Sequence, residues 1–182
     1  MVTQGLGHWY TCARFNKSVG SSVHQGSAPS ATWLKDPGHC LALGFGSGLA
    51  PRAPGTFGSL PGIALYFAIA GLPLPLQLAV LAGLFALGVL LCARTAKALG
   101  VHDHPAIVWD EVVAMALTLL ASDGSALGIG AGFALFRLFD IWKPWPIRWF
   151  DRNVHGGLGV MLDDVVAALM AGAGLALLQH FA

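Results

Sequence analysis

Two pairs of adjacent carboxylates carry the most chemistry in this chain. Asp110-Glu111 opens the apolar run VVAMALTLLA, and Asp163-Asp164 lies one to two helical turns into the last apolar run. Arg137, Asp140 and Lys143 recur at i, i+3 and i+6, so a continuing helix puts them near one face until Pro144 and Pro146 break it. Hard oxygen donors of this kind suit Mg²⁺, which takes one or two protein carboxylates together with substrate phosphate oxygens. Arg148 and Arg152, across the Pro144–Pro146 loop, extend this to a cradle for a metal and an anion, since an arginine fork matches phosphate oxygens in pairs. Each feature also has a structural reading. Acids in a first turn complement the helix dipole, Asp163-Asp164 can sit in a structural salt bridge, and the charged triplet can be a surface ion-pair ladder.

The elements that position these groups belong to a membrane protein. Of 182 residues, 55% are hydrophobic and 10% charged. Ordinary soluble domains carry roughly 25% charged residues, and this chain has too few to build a polar shell. Charge in such a chain is costly, and intramembrane carboxylates are by default functional. The formal net charge of +1 gives no polybasic field and excludes nucleic acid as a partner. Cys12, Cys40 and Cys92 form no C-x-x-C pair and imply neither a disulfide framework nor a zinc site. Residues 1–37 are rich in Ser, Gly, His and Thr with scattered charge. They lack the pattern of a signal peptide and read as a flexible polar extension, leaving 38–182 as one membrane-embedded domain.

Apolar stretches predict helices over about 57–71, 74–92, 107–121, 126–139 and 158–179. The fold expected is all-α, a polytopic membrane bundle of four to five apolar helices; those at 107–139 are short and can be tilted or re-entrant. Gly128 and Gly132, and the ridge Ala168, Gly172 and Ala176, allow close helix approach. If the runs cross as hairpins, all ten basic residues fall at or near one face. The opposite turns, 71–74 and 122–126, hold none, and the positive-inside rule makes the basic face cytoplasmic. Trp142, Trp145 and Trp149 suit the headgroup level as interface anchors.

Between Gly44 and Gly62 the segment GFGSGLAPRAPGTFGSLPG supplies glycines, the hydroxyls of Thr56 and Ser59, and Arg52 ahead of a helix. It offers backbone N–H groups to a phosphate, or a simple turn into the membrane. It lacks the G-K-[ST] ending of a Walker A loop. His102, Asp103, His104 and His155 are a weaker candidate set for a transition metal.

The strings GFGSG…PGTFGSLPG, VHDHPAIVWDE and FRLFDIWKPWPIRWFDRNVHGGLGVMLDD, in this order over about residues 38–178, resemble the phosphatidylglycerophosphatase A family. Ala114 stands where that pattern has glycine, a small-for-small change. The resemblance implies a bacterial, Mg²⁺-dependent, multi-pass enzyme of the inner membrane with its site facing the cytoplasm. Its substrate would be a phospholipid in the bilayer, phosphatidylglycerol phosphate, converted to phosphatidylglycerol. No C-x₅-R or D-x-D motif is present, which leaves a carboxylate–metal site that attacks with water. On this reading Asp110, Glu111, Asp163 and Asp164 are catalytic and Glu111, Asp140, Asp163 and Asp164 hold metal. Arg52, Thr56, Ser59, Lys143 and Arg148 bind the substrate phosphate. The rival readings are a cation- or proton-coupled small membrane transporter and a phosphatase for another lipid phosphate. The sequence does not fix the oligomeric state.

Overall fold

The computed structural model of the chain describes residues 29–101 and 104–181. No strand occurs among them, and the protein is all-α. The N-terminal 28 residues, with Cys12, and the pair His102-Asp103 lie outside the described residues. A 3₁₀ turn, Ala31–Lys35, leads to helix α1, Pro37–Ala42, and a second, Gly44–Leu49, leads to α2, Pro54–Ile69. The remaining helices are α3, Leu74–Leu99; α4, Trp109–Leu119; α5, Ala126–Trp142; α6, Ile147–Asn153; and α7, Gly156–Phe181.

Local sequence sets the boundaries. Asp36 caps α1 by accepting the N–H groups of Gly38 and His39, and Ser125 caps α5 by accepting that of Gly128. Pro54 and Pro75 lie in the first turns of α2 and α3, where no donor is required, and Gly100 ends α3 in the left-handed conformation. Four helices extend beyond the apolar runs that predict them. The third reaches Leu99 through Arg94 and Lys97, and the fifth reaches Trp142, because apolarity marks the buried or lipid-facing stretch while good helix formers continue the helix into polar surroundings. The short α6 is too polar to register as an apolar run.

Helix α4 forms the centre of the bundle, packed against α2, α3, α5 and α7. Its residues Val112 to Ala116 and Leu119 are buried, so its 11 residues serve as core. Glycines on α2 make the tightest of these contacts. A Cβ at Gly58 would lie 2.5 Å from Val108 Cβ, and one at Gly62 would lie 2.5 Å from the Val112 carbonyl oxygen. Gly132 lets α5 approach Leu119 and Leu175 in the same way.

Helices α3 and α7, of 26 residues each, are long and apolar enough to cross a membrane. At 1.5 Å per residue each measures about 39 Å, against a hydrocarbon core of about 30 Å. Their outward faces stay apolar: Leu76, Leu78, Leu87 and Leu90 on α3, and Leu169, Leu177 and Leu178 on α7, are exposed. An uncovered apolar belt of this kind is what a bilayer covers. The other apolar helices, α2, α4 and α5, are shorter.

The starts of α2, α4 and α7 and the ends of α3 and α5 gather at one end of the bundle. There Gly55 abuts Glu111 and Arg137, and Gly157 abuts Val89 and Ala93. Arg94, Lys97, Arg137, Lys143, Arg148 and Arg152 all belong to that end, while the turns before α3 and α5 occupy the other.

Candidate active site

Each carboxylate near the gathered ends is held by a different kind of local structure. Asp110 and Glu111 occupy the first turn of α4, whose start is fixed by the Val108 N–H donating to the Ala42 carbonyl at 2.9 Å. Asp163 and Asp164 occupy the third turn of α7 and are buried, with 6% and 4% of their surface exposed. Asp140 projects from the last turns of α5, one turn after Arg137. Lys143 terminates α5 in the left-handed conformation, φ 45°, its N–H bonded to the Phe139 carbonyl at 2.8 Å. A lysine adopts that backbone at a cost of about 1 kcal/mol, which the surrounding contacts must offset.

These elements enclose one cavity of about 130 Å³, whose wall includes Asp110, Glu111, Asp140, Lys143, Asp163 and Asp164. One carboxylate oxygen from each of Asp110, Glu111 and Asp164 can be chosen so that all three lie within 4.8 Å of one another. That is the spacing of ligands around a single cation. Glu111 Oε2, Asp163 Oδ1 and Asp164 Oδ2 are buried and have no hydrogen-bond partner among the described residues. Buried carboxylate oxygens without donors are costly and call for a counter-charge. The donor set is all oxygen, which suits a hard divalent cation.

Two cations border the acids. Arg137 Nη1 lies 2.7 Å from Asp140 Oδ2 and 4.0 Å from Glu111 Oε1, and its buried Nε has no hydrogen-bond partner among the described residues. Lys143 Nζ donates to Asp151 Oδ1 at 2.6 Å and to Asp163 Oδ2 at 2.5 Å. Burial alone would lower the Lys143 pKa, but the hydrogen bonds to Asp151 and Asp163 outweigh it and raise the value. The ammonium is therefore permanent at neutral pH.

The other residues singled out in the sequence lie elsewhere. Arg52 is exposed in the turn before α2, Thr56 is half-buried in the first turn of α2, and buried Ser59 donates its hydroxyl to the Gly55 carbonyl at 2.9 Å. None of the three lines the carboxylate cavity. The glycine-rich segment borders a neighbouring cavity of about 410 Å³, lined by Gly48, Pro54 and Pro105 among others, and Pro105 is common to both. Arg148 faces a separate cavity on α6. His104 Nδ1 accepts the Ala106 N–H, and His155 is exposed.

Two contributors are not evident from residue type. Asp151 on α6 is the second partner of Lys143, and only its eight-residue separation across the Pro144–Pro146 turn hints at this. Gly55 admits the Glu111 carboxylate and the Arg137 guanidinium against the start of α2. A Cβ there would collide with Glu111 Oε1 and lie 3.1 Å from both Arg137 terminal nitrogens.

Fold and site define an all-helical, membrane-associated protein with an acid-lined, cation-flanked cavity at one end of its bundle. The pattern of the family Phosphatidylglycerophosphatase A matches residues 40–179. Phosphatidylglycerophosphatase A of Escherichia coli K12 is 49% identical over 159 residues, covering 86% of this chain and 92% of that protein. The protein of the same name from Haemophilus influenzae Rd is 49% identical over 140 residues, covering 76% and 86%. A Bacteroides thetaiotaomicron protein with the provisional name phosphatidylinositol-3-phosphatase is 40% identical over 136 residues, covering 71% and 85%. No solved structure matches the chain. The chain belongs to the phosphatidylglycerophosphatase A family.

Proposed function

We propose that the protein removes the terminal phosphate of phosphatidylglycerol phosphate, leaving phosphatidylglycerol, by attack of water on the phosphate monoester. The observation that carries this reading is the pairing of unpartnered, buried carboxylate oxygens of Glu111, Asp163 and Asp164 with two flanking cations, in a chain of this family. A phosphate monoester is the substrate that such a site suits, because it presents oxygens to a metal and to fixed cations at once.

Asp110, Glu111 and Asp164 are the residues that would hold Mg²⁺, with Asp140 and Asp163 at the rim. Bound there, the ion supplies charge neutralisation of the phosphoryl oxygens and a water of lowered pKa. Arg137 offers its unpartnered Nε, and Lys143 a permanent ammonium, to the oxygens on which charge develops. A carboxylate not engaged with metal accepts the proton of the attacking water. Arg52 and Thr56, on the α2 side, would meet more distant parts of the substrate headgroup, whereas Arg148 faces the outer cavity on α6.

The membrane setting completes the reading. The protein is a multi-pass protein of the bacterial inner membrane, in which α2, α4 and α5 accompany α3 and α7 at bilayer depth and the site faces the cytoplasm. The basic residues collected at the site end support this orientation. A lipid headgroup then reaches the cavity while its acyl chains remain in the bilayer. The transporter reading gains no support from the named relatives.

The test is phosphate release from phosphatidylglycerol phosphate by the purified protein in detergent, with Mg²⁺ and then with EDTA. Release that needs the metal and disappears in Asp164→Asn is expected. Release from phosphatidate but not from phosphatidylglycerol phosphate, by folded protein, overturns the substrate assignment, and release unaffected by EDTA overturns the metal.

A further inference from the structure

Helix α6 presents two faces of different character. Inward, Ile147 is fully buried and Asp151 reaches Lys143. Outward, Arg148, Trp149, Arg152 and Asn153 of the helix, together with Trp145 in the turn just before it, form a stripe that lines a cavity of about 390 Å³. This cavity shares no wall residue with the carboxylate cavity. No acid lines it, and neither arginine forms an ion pair among the described residues; the side-chain bond given for Arg148 is a long one, 3.5 Å, to the Trp142 carbonyl. Trp145 is 81% exposed and Trp149 52%.

The stripe adjoins further exposed apolar surface at the end of α5. Leu138, Ile141 and Trp142, in the last turns of α5, are exposed apolar residues leading up to it. Below the stripe the surface suits hydrocarbon; at the stripe it changes to indole and guanidinium, the pair of groups suited to headgroup depth. A guanidinium fork matches the two free oxygens of a phosphodiester, and two arginines one turn apart in a cavity that no acid lines, with the adjacent Asp151 engaged by Lys143, favour a headgroup of net negative charge.

We propose that the outward stripe of α6 is a binding site for the headgroup of an anionic phospholipid of the bilayer, separate from the cavity where the phosphate monoester is cleaved. It rests on the membrane setting and not on the reaction. Near a membrane surface each arginine enriches an anionic lipid over a zwitterionic one by roughly five-fold. Because Asp151 shares this short helix with the stripe and holds Lys143, an occupied stripe steadies the element that supports one wall of the cleavage cavity.

The experiment uses the whole protein in nanodiscs without phosphatidylglycerol phosphate. Tryptophan fluorescence is compared in phosphatidylcholine discs carrying equal amounts of either phosphatidylserine or phosphatidylcholine brominated near the top of the acyl chains. Wild type is expected to be quenched more by the brominated phosphatidylserine. The excess should vanish in W145F/W149F, which locates it, and in R148Q/R152Q, and return in R148K/R152K. Equal quenching by the two lipids in wild type overturns the proposal without reference to any variant. So does an excess that survives R148Q/R152Q. Phosphate release is measured separately, on the same proteins in nanodiscs supplied with phosphatidylglycerol phosphate and Mg²⁺. Hydrolysis without excess quenching removes the α6 site alone, and excess quenching without hydrolysis removes the proposed reaction alone.

Discussion

The Lys143 ammonium lies 2.5 Å from Asp163 Oδ2, so the residue that ends α5 is clamped to the buried third turn of α7. The Asp163 side chain is only 8% exposed, and its partner 27%. Removing the cation from such a pair leaves a buried carboxylate uncompensated, at a cost of about 3 kcal/mol. Lys143→Met should lower the thermal unfolding midpoint in detergent and lose phosphate release, while Lys143→Arg keeps the fold. The folded pKa of Lys143 is raised, so its contribution is complete below the unfolded value of about 10.4 and is lost only as pH climbs through the folded value. A loss of activity between pH 7 and 9 must therefore come from another group, and its midpoint should not move in Lys143→Arg. A clear shift would show that Lys143 titrates in that range.

The triad Asp110, Glu111 and Asp164 should behave differently from Asp140. The three have oxygens close enough to share one ion, whereas Asp140 is engaged with Arg137 at 2.7 Å. Asp110→Asn, Glu111→Gln and Asp164→Asn should each reduce kcat by at least about 100-fold. Asp140→Asn should act chiefly by freeing Arg137, raising KM more than it lowers kcat. Steady-state kinetics on the four variants decides, and a triad member that tolerates substitution does not belong to the site.

Helices α2, α3, α4, α5 and α7 were legible in the sequence because each carries an apolar run, and the acids were legible because charge is so sparse. Asp110-Glu111 at a helix start and Asp163-Asp164 inside one needed only periodicity. What periodicity could not give is which helices meet. Arg137 and Asp140 pair along one helix, as their spacing predicts, but Lys143 leaves that face because the left-handed turn at the end of α5 redirects it to Asp163 and Asp151. Arg148 reads as a phosphate ligand by proximity in sequence, yet α6 turns it to an outer cavity. The central position of α4 also escapes a length criterion. Its 11 residues are short for a bilayer, and their burial depends on glycines one helix earlier, Gly58 and Gly62.

Asp36 gives a stability prediction far from the chemistry. Its carboxylate accepts from the His39 and Gly38 backbone N–H groups and pairs with Arg94 at 2.8 Å, fastening α1 to the end of α3. The His39 N–H holds its pKa below the ordinary value against the opposing effect of burial, and the Arg94 charge and the Gly38 N–H add to the lowering. A depressed folded pKa makes the contribution complete above the unfolded value of about 3.9, and it is lost as pH falls through the folded value. Asp36→Asn keeps a cap but loses the charge. Its unfolding midpoint should be lower than that of wild type at pH 7, and the gap should close as pH is taken to about 3. A gap that persists in acid would assign the effect to the cap rather than to the charge.

Gly55 tests whether the start of α2 is part of the site or merely near it. A methyl group there collides with Glu111 Oε1 and crowds Arg137, and the neighbouring backbone of α2 is fixed by helix geometry. The Glu111 carboxylate must yield, which moves an oxygen of the triad. Displacement by about 1 Å at a reacting centre is enough for a loss of roughly 100-fold. Alanine has the better intrinsic helix propensity, so α2 itself is not weakened. Gly55→Ala should therefore lose most of its kcat with little change in helical content or unfolding midpoint. Gly71→Ala, where nothing lies within 4 Å of an added methyl, serves as the control and should keep full activity. If Gly55→Ala is as active as the control, Glu111 has room to move without consequence, and its place among the metal-holding residues falls.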